Sequence, residues 1–178
     1  MIERIQGASR DGIDTHNTTY FRKIWRQIPC LVALNDENTL RVADPFARDC
    51  TLAYPYTNDV DESTSANYHQ DAREFLRNVC PSNYFDLILF DPPFSRSQEL
   101  KYNGTQNVYS TPGFVPDCME SIHRILKTGG YLLKFGYNST RHHPSFFLVK
   151  TWLANMGANR NDVIVTLWQK TNTTLEDW

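Results

Sequence analysis

Residues 85–90 read FDLILF, a near-continuous apolar run, and DPPF follows at 91–94. This stretch constrains the fold more than any other. A run that does not alternate is the pattern of a strand buried on both faces, as in a parallel sheet covered by helices. The two prolines then end the strand abruptly. Each fixes its own φ and lacks an N–H donor, and each pushes the preceding residue toward extended geometry. The spacing therefore predicts a rigid spur at the carboxyl end of a central strand. In open α/β sheets that rim is where ligands bind.

The remaining segments fit around this strand. Phe21, Ile24, Trp25 and Ile28 recur at helical spacing, which predicts an amphipathic helix over 18–28 that packs on its own sheet and stops at Pro29. Short strands are expected at 39–43 and 54–58. Residues 67–79 begin extended and turn helical, with Phe75, Leu76 and Val79 inward. A helix is expected from Val115, with Met119, Ile122, Ile125 and Leu126 on one stripe and Gly129-Gly130 at its end. A strand at 131–136 follows. Residues 146–154 fit helix or strand, and 163–169 fit a strand. The turn-rich NMGANRND between them points to a closing hairpin. The first ~15 residues are polar and expected to be loose. The order predicts an α/β fold of one domain spanning 1–178, with a mostly parallel sheet and an antiparallel strand at the C-terminal hairpin.

The totals narrow the class. Apolar residues make up 40% of 178, enough for a core. No apolar run approaches the ~18–20 residues of a membrane span, and no apolar segment opens the chain as a secretion signal would. A soluble, cytoplasmic protein is expected. Cys30, Cys50, Cys80 and Cys118 form no CxxC pair, so reduced thiols are expected and no zinc site. His142 and His143 are adjacent and read as surface residues. Net charge is −2, but unevenly placed. Residues 1–91 hold nine Lys/Arg and fourteen Asp/Glu, whereas 92–170 hold nine and four. The stretch after the spur is the basic one and can attract phosphates.

The spur suits one chemical task. The carboxylate of Asp91 and the Pro92 carbonyl are acceptors, and Phe94 is an apolar plate. An exocyclic aromatic amine has two N–H donors and a lone pair delocalised into its ring. If each acceptor takes one N–H, the nitrogen moves toward tetrahedral geometry and its lone pair becomes available for attack. A base stacked on Phe94 gains about 1–3 kcal/mol. Positioning and electrostatics would do the work.

On these residues the chain resembles the S-adenosylmethionine-dependent amino methyltransferases, most of all the DNA N6-adenine methyltransferases with their DPPY or DPPF signature. The resemblance runs from roughly residue 15 to 170. It implies a Rossmann-like class I methyltransferase fold with a seven-stranded sheet, and assigns catalysis to Asp91, Pro92, Pro93 and Phe94. RVADPFARDC at 41–50 resembles the cofactor motif. By that match Asp44 orients the methionine end of S-adenosylmethionine, and Pro45, Phe46 and Ala47 line its pocket. In TNDVDE at 57–62, Asp59 is placed to accept from the ribose hydroxyls. YHQDAREFL at 68–76 resembles the third motif, in which Asp71, with Ala72, meets the cofactor's adenine. HRILKTGGYLLKFG matches the helix–GG–strand element, and GANRNDVIVTLWQK resembles the closing hairpin of small phage and prokaryotic members. One departure stands out. Where the family commonly shows G-x-G, this chain has Arg48, Asp49 and Cys50. Only about ten residues then separate the two strand ends, too few for a crossover helix, so a short turn is expected there.

The partner implied is DNA, duplex or single-stranded, with the target base flipped out of its helix. Asp44 and Asp91 stand 47 positions apart, and neither that interval nor the one after Phe94 holds a target-recognition domain. The polar segment 95–114 is the expected nucleic-acid loop, through Arg96, Gln98, Lys101 and Tyr102. A second loop at 138–145 offers Asn138, Arg141 and His142. So small a chain would dimerise, tolerate short targets or use a partner. Two alternatives stand beside DNA methylation: modification of an RNA base at adenine N6 or guanine N2, and a catalytically silent subunit that binds nucleic acid or a partner.

Overall fold

A computed structural model of the protein describes residues 2–6, 15, 18–33, 40–50, 52, 54–101, 111–139, 143–155 and 162–172. The apolar run forms β4 (Phe85–Phe90), with every residue but Asp86 buried. The other elements are β1 (Ile2–Gln6), α1 (Thr19–Trp25), α2 (Pro29–Ala33), β2 (Val42–Asp44), β3 (Tyr56–Thr57), α3 (Ala72–Glu74) continued by a π-helical turn at Phe75–Val79, α4 (Arg96–Lys101), α5 (Phe114–Ile125), β5 (Leu126–Gly136), β6 (Phe146–Asn155) and β7 (Val163–Lys170). The described strands make one seven-stranded sheet in the order β1-β6-β7-β5-β4-β2-β3. β3, β2, β4 and β5 run parallel, and β7 runs against both β5 and β6. This is the expected mostly parallel α/β sheet with its antiparallel hairpin.

The strands alternate their side chains between two helical layers. Leu87, Leu89, Leu133 and Phe135 share a core with Phe21, Ile24, Trp25 and Ile28 from the α1–α2 side. Ile88, Phe90 and Leu132 share the other with Phe75, Leu76, Met119 and Ile122 from α3 and α5. The helix expected over 18–28 is the shorter α1, Thr19–Trp25, and it packs on its own sheet. Its Phe21 ring lies 5.3 Å from Trp25 and 6.2 Å from Phe135. Each fully buried Leu, Ile or Phe contributes about 1.5–3 kcal/mol. That driving force buries β4 between the two layers, with β5 and β2 as its neighbours.

Four expectations are corrected. Residues 2–6 are not loose: they form β1, parallel to β6, with Ile5 buried and Glu3 bridged to Lys150 at 2.7 Å. Only one side chain of the strand turns inward, so the sequence carries no apolar pattern to reveal it. The extended start of 67–79 is not a strand but a single parallel bridge, Asn58 to Tyr68. The sheet reaches seven strands with β1 instead. Pro29 does not merely end a helix; it opens α2, where a missing N–H costs nothing. Finally, Gly129-Gly130 does not end α5. The helix stops at Ile125, and the glycines lie inside β5 as a bulge between the pairs Phe85–Leu126 and Leu87–Tyr131. Gly129 has φ +80°, and a Cβ on Gly130 would meet the Lys127 carbonyl at 2.9 Å, so the bulge needs both glycines.

The region 146–154, open between helix and strand, is strand β6. His143 is not a free surface residue: its ring stacks on His123 at 3.8 Å and 17°. The four cysteines carry free thiols. Burial pushes Cys80 and Cys118 up to about 12 and Cys30 to about 11, so these three stay protonated and unreactive. No described helix is long and apolar enough to cross a membrane.

Candidate active site

Because β2, β3, β4 and β5 are parallel, their carboxyl ends share one rim. Asp44 ends β2, Asp59 follows β3, Asp91 follows β4, and Tyr137 and Asn138 follow β5. No helix connects β2 to β3 within the described residues, in line with the short turn expected there. What holds this side together is a residue that the sequence reading passed over. Asn58 is fully buried. Its Nδ2 donates to the carbonyls of Pro45 at 3.2 Å and Gln70 at 3.0 Å, and its Oδ1 accepts from the Gln70 amide at 3.0 Å. Its own amide donates to the Asp44 carbonyl at 2.8 Å, and its carbonyl accepts from Ala47 at 2.8 Å. One amide side chain thus joins the loops after β2 and β3 to the start of α3. A polar residue at a buried strand end was the only local signal.

The cofactor residues inferred by resemblance fall around this clasp. Asp44 is fully buried, and its Oδ1 accepts from the Phe46 amide at 3.0 Å. Pro45 and Ala47 are buried, and Phe46 is half-buried, edge-on to Phe90 at 5.4 Å. Arg48 takes φ +45°, so it makes the left-handed turn that a glycine would otherwise supply. Its amide donates to Asp59 Oδ2 at 3.1 Å, while Asp59 Oδ1 accepts from Asp61 at 2.9 Å. Burial pushes the Asp59 carboxyl up against the pull of these two bonds. Asp71 caps α3. Its Oδ1 accepts from the Arg73 amide and Nε at 2.8 and 3.0 Å, and its Oδ2 from Nη2 at 2.9 Å. Burial works to raise this carboxyl, but the Arg73 bonds prevail and hold it below the usual range. The Arg73 guanidinium lies 4.9 Å over Phe114, and Ala72 is fully buried beside it.

The spur stands next to these groups. Pro92 is buried, and Asp91, Pro93 and Phe94 are half-buried. The Phe94 amide donates to Gln98 Oε1 at 2.8 Å, so the first turn of α4 fixes the plate. Phe94 also meets Tyr137, with ring centroids 5.1 Å apart and planes inclined by 59°. Lys134, on β5 opposite Phe90, is buried, and its Nζ donates to Asn138 Oδ1 at 3.2 Å. Neither Tyr137 nor Lys134 was singled out in the sequence.

The expected nucleic-acid residues divide. Gln98 is occupied in holding Phe94. Asn138 is exposed beside the spur. Arg96 and Lys101 lie on α4, but their side chains, like Tyr102, Arg141 and His142, fall outside the described residues. Among the described residues no group of His, Cys, Asp and Glu could hold a metal ion.

The sequence matches no family profile and no curated protein. The fold does have solved counterparts. The chain is similar to yhhF, a methyltransferase candidate from Escherichia coli, with TM-score 0.59 and 13% identity over 93% of this chain and 92% of that one. It is also similar to TrmN from Thermus thermophilus, with TM-score 0.53 and 20% identity, covering 74% of this chain and 44% of TrmN. The likeness is one of fold: an α/β, Rossmann-like sheet.

Proposed function

We propose that this chain transfers a methyl group from S-adenosylmethionine to the exocyclic amine of a nucleobase, with N6 of adenine in DNA as the leading substrate. The observation that carries the reading is the spur: Asp91 and the Pro92 carbonyl stand beside the Phe94 plate at the carboxyl end of the central strand, with Asp44 on the neighbouring strand. The fold shared with a methyltransferase candidate supports it.

The residues fit such a cofactor by their acceptor capacity. A carboxylate offers about four acceptor positions. The two backbone bonds to Asp59 leave room for a pair of ribose hydroxyls. Asp71 already takes three bonds from Arg73 and one from the Glu74 amide, so an adenine N–H would share an oxygen with them. Phe46 and Ala47 would flank the methionine end below Asp44. When bound, S-adenosylmethionine supplies an electrophilic methyl group. Asp91 and the Pro92 carbonyl would each accept a hydrogen bond from one amine N–H, and Phe94 would hold the base plane. Gln98 acts through the Phe94 amide.

The test is calorimetric titration with S-adenosylmethionine, then labelled-methyl transfer to duplex DNA, single-stranded DNA and RNA, with the product nucleoside identified after digestion. Cofactor binding and N6-methyladenine in DNA are expected. Transfer to RNA alone would move the substrate to RNA. Binding without transfer to any of the three would favour the silent subunit. In Asp91→Ala, transfer should fall by about 100-fold or more, as for loss of one preorganised polar group, while cofactor affinity stays within about twofold. Full activity in that variant would refute the mechanism.

A further inference from the structure

We propose that Lys134 is a positioning residue for the target base: through Asn138 it holds Tyr137 beside Phe94, and the two rings together receive the base. The inference rests on the nucleobase reading above and adds the half of the site that β5 supplies.

Leu133 and Phe135 face the α1 layer, so Lys134 shares its face with Leu132 against α5. An apolar side chain is the expected occupant of such a position, and burying an ammonium is costly unless it is well hydrogen-bonded. Lys134 is only 6% exposed, yet its Nζ reaches the rim and bonds Asn138 Oδ1. Asn138 directly follows Tyr137, so fixing its side chain fixes the turn that carries the ring. Tyr137 is 42% exposed but in contact with the half-buried Phe94. Two aromatic planes inclined by 59° form an angled wall. A base can lie flat on one and meet the other edge-on, both favourable arrangements.

The clasp is sensitive to pH. Burial alone lowers the Lys134 ammonium to about 8. The charged and titratable groups on the elements packed against this face are Asp71 and Arg73, paired with each other, Glu74 and Arg77 on the α3 side, and Asp117, Glu120, His123 and Arg124 on α5. Across the sheet stand Thr166 on β7 and Phe90 on β4, with Asp91 next along the chain. The ammonium donates a charge-assisted bond, which weakens when the proton is lost. The hold on Asn138 therefore loosens as pH rises through about 8.

The experiment uses a single-stranded DNA oligonucleotide carrying 2-aminopurine, an adenine analogue whose fluorescence is quenched on stacking. Wild type, Lys134→Arg and Lys134→Met are compared from pH 7 to 9, with folding checked by circular dichroism. Wild-type affinity should fall about tenfold over that range. The Arg variant, charged throughout, should hold its affinity. The Met variant should be weak at both ends, with cofactor affinity unchanged. A Met variant that binds with the wild-type pH curve overturns the proposal. If that variant does not fold, Asn138→Ala carries the same expectation. A second readout needs no ligand: the Tyr137 ring resonances should titrate with a midpoint near 8 in wild type and stay fixed in Lys134→Arg. Invariant resonances in wild type overturn the clasp even if methyl transfer succeeds. A titrating Tyr137 with no methyl transfer to any substrate supports the clasp while removing the catalytic reading. A wild type that binds the 2-aminopurine strand at no pH overturns the base-positioning role, whatever the cofactor does.

Discussion

At the residue scale, the rim acids differ in how much of their acceptor capacity the fold already uses. Asp59 receives two backbone donors, and Asp71 three donors from Arg73 with the Glu74 amide beside them. Asp59→Asn keeps the shape but turns one carboxylate oxygen into a donor group. Calorimetry on that variant should give a cofactor Kd about tenfold weaker, about 1.4 kcal/mol; an unchanged Kd would take Asp59 out of the site. The places of the spur and of the strand-end acids were legible in the sequence because a strand pattern, a proline pair and a carboxylate stand side by side. Asn58, Tyr137 and Lys134 were not. Asn58 acts on Pro45 and Gln70, more than ten positions away on either side. Tyr137 matters only because the sheet brings it to Phe94. Lys134 reads from sequence as an ordinary strand lysine, and its burial depends on α5 and β4.

At the element scale, β4 was legible to its end residues, since five buried apolar side chains and a proline pair mark both its nature and its limit. The α5–β5 junction was not. GG after a helix ordinarily signals a C-cap; here the strand has already begun, and the glycines absorb a register shift against β4. The same junction places His123 against His143. Burial lowers both imidazoles, His143 and Lys170 lower His123 further, and Glu120 opposes this for each. The unfolded chain, with an ordinary histidine pKa near 6.5, therefore takes up protons first as pH falls. Stability is full above that value and declines below it, toward the lower folded pKa. Thermal unfolding followed from pH 7.5 to 5 should show the midpoint falling below about 6.5. His143→Asn should flatten that part of the curve, and an identical slope in the variant would remove the pair as its source.

At the scale of the whole molecule, the parallel sheet and the closing hairpin were legible from the order of patterns. The sheet's outer edge was not. β1 joins β6, so Ile2 lies opposite Thr151, and no local pattern can announce a partner so distant in the chain. Ile5 is the strand's buried anchor. Ile5→Ala should cost about 2–5 kcal/mol in urea unfolding, the usual range for a buried isoleucine. Because β1 lies four lanes from β4, cofactor affinity should not change; a large loss of affinity would show that the edge supports the site after all.

That outer lane also orders events in time. A ribosome adds about 5–20 residues per second, so the first strand waits on the order of ten seconds for its partner to be made. During that interval β1 has no lane to enter, and it becomes one of the last elements to settle. Refolding from denaturant starts with both strands present, so the molecule released from a ribosome and the molecule diluted from urea reach the same sheet by different sequences of pairing.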